Sequence, residues 1–284
     1  MRFFHAIVLP REAGFSNAGG RLKRAAVLAA AGLLAGGAGG LAEAQSASPG
    51  PENYHFRVEG FTWSGDIEGQ IQKGFGDGPG TLLDLENDLG LAASRTYGFS
   101  AAIKLGSSWK LRGSFTPFDY PGDVMANQNF SFGDDDYFVG ERVVTTVQGK
   151  YYTGALEWDF VRKPQGYFGI FVGAKVLDGD FVIVSPGTGK RDVESGVAPA
   201  PVVGIASRLY AGRRFSTEFE YSGMWFGDRG KVSETIFALR FHLSDRLAAM
   251  GGYRRVSIEG HPTEERDLVV VKLSGIVFGV ELSL

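Results

Sequence analysis

The sequence predicts an all-β protein, an antiparallel up-and-down transmembrane β-barrel of about ten strands, with eight as the alternative count. Three observations carry this. Segment after segment alternates apolar and polar residues with period two, short and long connections take turns, and the last alternating segment runs to Leu284. Composition agrees, because 42 glycines and 13% aromatic residues among 284 are too much Gly for a helical bundle and too many aromatics for a disordered chain. A formal charge of −3 argues against a basic nucleic-acid binder. The absence of Cys excludes a disulfide scaffold, a thiolate metal site and a cysteine nucleophile.

The N-terminal part reads as an export signal. Arg21, Lys23 and Arg24 form a positive n-region, Ala25 to Leu41 is uncharged and mostly apolar, and Ala42-Glu43-Ala44 supplies the small-x-small pattern cut by signal peptidase before Gln45. The apolar stretch is too short and too rich in Gly to span a bilayer, which takes about 20 strongly apolar residues. Residues 1–44 are therefore expected to be a signal peptide, 45–53 a flexible lead containing Pro49, Gly50 and Pro51, and 54–284 the barrel.

The first strand is expected over Tyr54 to Trp63. Tyr97, Phe99, Ala101, Ile103 and Leu105 alternate with Thr96, Gly98, Ser100, Ala102 and Lys104. Beyond Gly106-Ser107-Ser108 the alternation resumes, Trp109, Leu111, Gly113 and Phe115 against Lys110, Arg112, Ser114 and Thr116, which makes a hairpin with one apolar and one polar face. The same arrangement returns in Tyr152, Gly154, Leu156, Trp158 and Phe160, followed by a turn at 162–165 and Tyr167 to Leu177. Val202 to Tyr210 and Phe215 to Ser222 flank a turn at 211–214. Glu234 to Phe241, Leu247 to Ile258 and Ile276 to Leu284 complete ten strands, most of them able to reach the ~9–11 residues of a tilted membrane strand. Connections near 106–108, 162–165, 211–214 and 243–246 are short. Those at about 66–94, 121–142 and 185–195 are long, with shorter ones near 227–230 and 259–266. Tight periplasmic turns and long external loops sort in this way in membrane barrels.

Alternation alone does not say which face is inside. In a soluble barrel the charges would meet water; in a membrane barrel they face the lumen, and Phe99, Trp109, Phe115, Trp158, Phe160, Phe219, Tyr221, Phe237 and Phe241 meet lipid. Aromatic residues gather at strand ends, at Trp109, Trp158, Phe160, Phe215 and Phe241, as interfacial girdles require. The lumen then receives Lys104, Arg112, Glu157, Asp159, Lys175, Arg208, Glu218, Glu220, Arg240, Arg254 and Glu281. Both signs crowd a narrow interior, so a salt-bridged filling is expected rather than an open pore.

Across residues 54–284 the chain resembles small bacterial outer-membrane β-barrel proteins, on its signal peptide, its even number of amphipathic strands and its final alternating strand. Many of them end in Phe, which resembles a signal for barrel-assembly machinery; here Glu281-Leu282-Ser283-Leu284 puts Leu in that place. The segment from Thr81 to Leu91 also resembles one found in proteins of this type, implying shared architecture and no activity. The resemblance implies the outer membrane of a Gram-negative-type bacterium, with outer-membrane lipid and the assembly machinery as partners. Neither a nucleic acid nor a cofactor is expected.

The long loops hold what remains of interest. Thr81 is placed to cap a short helix closed by Gly90, with Leu82, Leu85 and Leu89 on one side, either lying on the surface or plugging the mouth. Gly133-Asp134-Asp135-Asp136-Tyr137 reads as a solvated acidic turn rather than a cation site. Among the histidines, His55 and His242 fall at the inner end, and His261 near the outer rim would need Asp228 or Ser233 for a catalytic pair. The favoured reading is a non-enzymatic barrel with a structural, adhesive or small-solute role. The alternatives are an outer-membrane hydrolase, omptin-like protease or lipid A deacylase, and a secreted soluble lipid-binding barrel. Mass spectrometry of the membrane-inserted protein should find Gln45 as its first residue; retention of residues 21–44 would refute the cleavage.

Overall fold

The computed structural model describes residues 52, 54–74, 80–133, 135–260 and 267–284. The expected signal peptide, all of the lead but Glu52, Asp134 and His261 lie outside them. In chain order the strands are β1 (Phe56–Gln72), β2 (Leu82–Asp84), β3 (Ser94–Leu105), β4 (Trp109–Met125), β5 (Phe130–Phe132), β6 (Asp135–Tyr137) and β7 (Arg142–Lys163). There follow β8 (Gly166–Ser185), β9 (Lys190–Ala211), β10 (Phe215–Trp225), β11 (Gly230–His242), β12 (Leu247–Gly260) and β13 (Leu268–Ser283).

Ten of these make the wall. Each pairs antiparallel with the next, in the order β1, β3, β4, then β7 to β13, and β13 returns to β1 through pairs running from Arg57–Ser283 to Gln72–Leu268. Closure leaves no free edge in the lower wall; higher up, the β3–β4 ladder stops at Phe99–Phe115 and the β9–β10 ladder at Val203–Gly223. Paired residues followed round the wall from Phe56 through Leu111, Val172, Gly223 and Ser257 come back to β1 at Glu68, twelve positions further on. Ten strands with that stagger tilt by about 40° and hold the backbone about 10 Å from the axis.

Side chains obey two opposite rules along the same strands. Toward the short-turn end, apolar residues point out: Trp109 and Leu111 on β4, Leu156 and Trp158 on β7, Ile170 and Val172 on β8, Phe278 and Val280 on β13. Toward the other end the parity flips. On β1, Trp63, Ile67 and Ile71 are buried while Ser64, Asp66 and Glu68 are exposed; on β4, Phe118 and Tyr120 are buried while Asp119 and Asp123 are exposed. Outside β7 the apolar run from Phe160 to Tyr152 gives way to Lys150 and Gln148. The apolar belt is thus about 20 Å tall, near the ~25 Å band of membrane barrels. This is the reverse of a soluble barrel with an apolar interior, at least over the lower half.

Aromatic rings line the lower rim of the belt. Trp109 and Trp158 stack at 6.1 Å, Phe160 meets Phe168 at 5.3 Å, and Phe215 meets Phe241 at 5.2 Å. A bulge between Asp159 and Val161 breaks the alternation in β7, so that Phe160 and Val161 are both exposed while Asp159 stays buried inside. Such an extra residue re-aims side chains without opening the ladder for long.

The strands are longer than the alternation indicated, and the loops correspondingly shorter. What reads as loop at 66–94, 121–142 and 185–195 is partly strand with inverted parity: β1 continues to Gln72, β4 to Met125, and β8 and β9 are joined by a turn between Ser185 and Lys190. The segment beginning at Thr81 is not a helix. It holds the short strand β2, paired to β1, and one tight turn whose amides at Glu86 and Asn87 bond to the Asp84 carboxylate. Gly90 closes the turn at φ 64°, with Leu91 N–H bonded to the Leu85 carbonyl and Gly90 N–H to that of Glu86. A Cβ at Gly90 would lie 2.2 Å from a Val124 methyl. Thr81 accepts the amide of Ser131 instead of capping.

That turn is inserted into the mouth. Leu83, Leu85, Leu89 and Leu91 are buried, whereas Leu82, grouped by the sequence with Leu85 and Leu89 on one side of a helix, is exposed. The hairpin of β5 and β6 covers the rest, with Phe132 at 5.3 Å from Phe181 and Phe130 stacked on Tyr137 at 4.8 Å. Each leucine removed from water contributes about 1.5–3 kcal/mol, enough to hold the cover down. Arginine in place of Phe219, in mid-belt on β10, should cost about 2–4 kcal/mol in bilayer folding, and arginine in place of Asn127 on the cover little. Equal small effects in vesicle-refolding titrations would contradict a lipid-facing belt.

Candidate functional site

The lower lumen is filled by ions. Eight basic side chains, Arg57, Lys104, Lys110, Arg112, Lys175, Arg208, Arg240 and Arg254, meet eight acidic ones, Glu52, Glu59, Glu157, Asp159, Glu218, Glu220, Glu234 and Glu281. All eleven residues expected in the lumen are among them, brought together by the inward parity of β3, β4 and β7 to β13. Arg57, Lys110, Glu52, Glu59 and Glu234 join them. Lys110 and Glu234 lie on the polar faces of their alternating segments, so the pattern that found the rest applies to them as well. Glu52 carries no such signal, since it precedes the first strand.

The pairs lie in tiers. At the short-turn end Glu52 takes Arg57 at 3.0 Å and Lys104 at 3.4 Å, and receives the Tyr210 hydroxyl at 2.5 Å. Glu281 on β13 meets Arg57 at 3.4 Å, Arg208 at 3.0 Å and Arg240 at 3.1 Å. Glu218 bridges Arg208 and Arg240 at 2.5 and 2.7 Å, and Arg112 bridges Glu157 and Glu220 at 2.5 Å each. Lys110 reaches Glu157 at 3.1 Å and Asp159 at 2.8 Å, lying over the Tyr167 ring. The top tier is Glu234, which holds Lys175 and Arg254 and accepts the Tyr151 hydroxyl at 3.2 Å. Buried charges persist only when each is paired and hydrogen-bonded. Between the tiers a polar cavity of about 140 Å³ remains.

Above Tyr151 the bore is apolar. A second cavity, about 110 Å³, lies there under Leu85 of the cover. Polar contacts hold the cover and the mouth: Tyr137 of β6 donates to Asp192 of β9 at 3.2 Å, Asn127 donates to Asp88 at 3.2 Å within the cover, and Lys73, just beyond β1, pairs with Glu194 of β9. Lys190 and Thr188 both bond to Glu141. Burial would raise the Glu141 carboxyl, but hydrogen bonds from Ser185, Thr188, the Phe138 amide and Lys190 outweigh it and hold it at about 2.

Catalytic geometry is sparse. Ser216 Oγ stands 2.9 Å from His242 Nε2, but both are buried at the short-turn end, and among the described residues no carboxylate is hydrogen-bonded to the ring. His55 is exposed, and Asp228 is exposed at the opposite rim. Among the described residues no group of three or more metal-ligating side chains converges; Asp136 instead accepts Ser131 Oγ at 2.5 Å.

No protein-family model matches the chain, and no curated protein matches it. Among solved structures it is similar to the outer-membrane protease OmpT from Escherichia coli, with TM-score 0.54 and 8% identity over 84% of this chain and 99% of that one. It also aligns with the translocator domain of the autotransporter NalP from Neisseria meningitidis, at TM-score 0.44, 12% identity and 93% and 96% coverage. For the attachment invasion locus protein Ail of Yersinia pestis, in complex with a heparin analogue, the values are 0.36, 11%, 81% and 99%. The likeness to OmpT is one of fold: a closed antiparallel barrel of outer-membrane type.

Removing the carboxylate of Glu234 leaves Lys175 and Arg254 buried without their partner. Glu234→Ala should destabilise by about 3–5 kcal/mol. Asp123→Ala, which frees the half-exposed Arg142, should cost less than about 1 kcal/mol. Urea unfolding in vesicles, followed by tryptophan fluorescence, measures both, and a negligible effect at Glu234 would show that water reaches the tier.

Proposed function

We propose that the protein is an integral outer-membrane barrel closed to bulk solutes, working through its extracellular end in a structural, adhesive or small-solute-binding role and without a catalytic centre. The observation that carries this reading is the ion-paired filling of the lower lumen. Sixteen charges of balanced sign span the bore from Glu52 to Glu234, each tied to a partner on another segment. A hydrated ion crossing there would have to displace pairs already fitted to one another, and truncated partners would be left as uncompensated buried charges.

Placement in the outer membrane is supported by the encircling belt, by the girdle of Trp109, Trp158, Phe160 and Phe215, and by the shared fold with an outer-membrane protease. With the short turns on the periplasmic side, the covered end projects beyond the belt and carries a polar exterior, including Asp66, Glu68, Lys231 and Arg255. That part is the surface an external partner would meet.

Planar-bilayer recordings test the closed bore. The native barrel should show no large steady pore, only conductance far below that of a 16-stranded porin. Replacing Glu218 and Glu220 together with Ala should raise leak and susceptibility to unfolding, because Arg208, Arg240 and Arg112 lose partners. A large steady pore in the native protein would reverse the proposal in favour of a diffusion channel.

A further inference from the structure

The upper cavity of about 110 Å³ is bounded above by Leu85 of the cover and below by Tyr151, whose hydroxyl is committed to Glu234. It exists because small residues stand where large ones would close it. β9 presents Ala198 and Ala200, and β8 presents Gly179, into a lining they share with Leu177 and Phe118. The lining is almost all carbon. Of its three charged members, Glu194 is held by Lys73 and Lys231 by Glu259 at 2.9 Å, and Asp180 has the outward parity on β8, between the buried Gly179 and Phe181.

From this we infer that the cavity binds a compact, neutral, apolar molecule about the size of a single aromatic ring. A polar or charged ligand would give up its water and find no free partner. Size narrows the class further, since an apolar cavity of about 150 Å³ holds benzene or xenon, and this one is a little smaller. A long acyl chain does not fit. Position sets the side of access. The wall at this level has already left the belt, with Gln148 and Lys150 outside it, and the tier of Glu234, Lys175 and Arg254 lies beneath. Exchange therefore belongs to the cover side, where side-chain ties such as Tyr137–Asp192 are the fastenings. The inference rests on the closed-barrel reading and specifies its small-solute part.

Crystals of the full barrel, pressurised with xenon or soaked in benzene, decide the matter. Xenon and benzene should occupy the space among Leu85, Leu177 and Ala198 in the native protein, and neither should do so in Ala198→Leu, whose added side chain fills that space. In detergent, benzene should raise the unfolding temperature of the native barrel and leave that of Ala198→Leu unshifted. Heat-modifiable gel migration reports whether the variant has folded, and Ala200→Leu takes its place if it has not. No occupancy in the native protein, occupancy only on the outer belt, or binding unchanged in both filled variants would overturn the inference. The two readings fail separately: a steady native pore defeats the closed barrel, whereas a cavity without xenon defeats only this site.

Discussion

A side chain on a closed sheet has two destinations, and in this barrel those destinations exchange character partway along the strands. Below the exchange the outside is apolar and the inside is ionic; above it the outside is polar and the inside is hydrocarbon. Between β4 and β7 the hydrogen-bonded ladder runs through the transition without interruption, from Trp109–Trp158 to Met125–Arg142. Everything else in the molecule accommodates that switch: the height of the belt, the depth of the charges and the seat of the cover.

The ionic half is held by balance more than by any single bond. A buried pair contributes little beyond a well-packed apolar substitute, while a broken one is severely destabilising. The pairs join residues of different strands, so they meet only when those strands are in register. Tyrosines join the ionic network, and one of them, Tyr151, stands at the change of medium. Tyr151 and Tyr210 give their hydroxyls to Glu234 and Glu52, and Tyr167 lays its ring under the Lys110 ammonium, as residues with one wet and one dry end do elsewhere.

Strand identity, the outward aromatics and eleven of the lumen charges were legible from period-two alternation, because below the exchange a single parity rule suffices. The same rule concealed the upper strands. Between Phe115 and Phe118 the apolar residues pass from odd to even positions, and a reader following one parity sees the pattern stop and a loop begin. The turn after Asp84 was misread for a different reason. Of its helix-like signals the left-handed Gly90 is real, but Asp84 rather than Thr81 takes the amides of the turn, and pairing of β2 with β1 claims the residues a helix would need. Leu83 is consequently buried and Leu82 is not. The apolar cavity had no legible trace, since it arises from Ala198, Ala200 and Gly179 lying beside larger residues of distant strands.

Glu281 lies on the strand that completes the circle, and it is shared by arginines from β1, β9 and β11. Until β13 docks, those three cations hold one carboxylate fewer, and the nascent interior carries a surplus of positive charge. Zipping the final seam thus neutralises the bore at the same moment that it satisfies the backbone. The strand that closes the sheet is also its electrostatic keystone, because the carboxylate it brings is the one that balances the cations of three other strands.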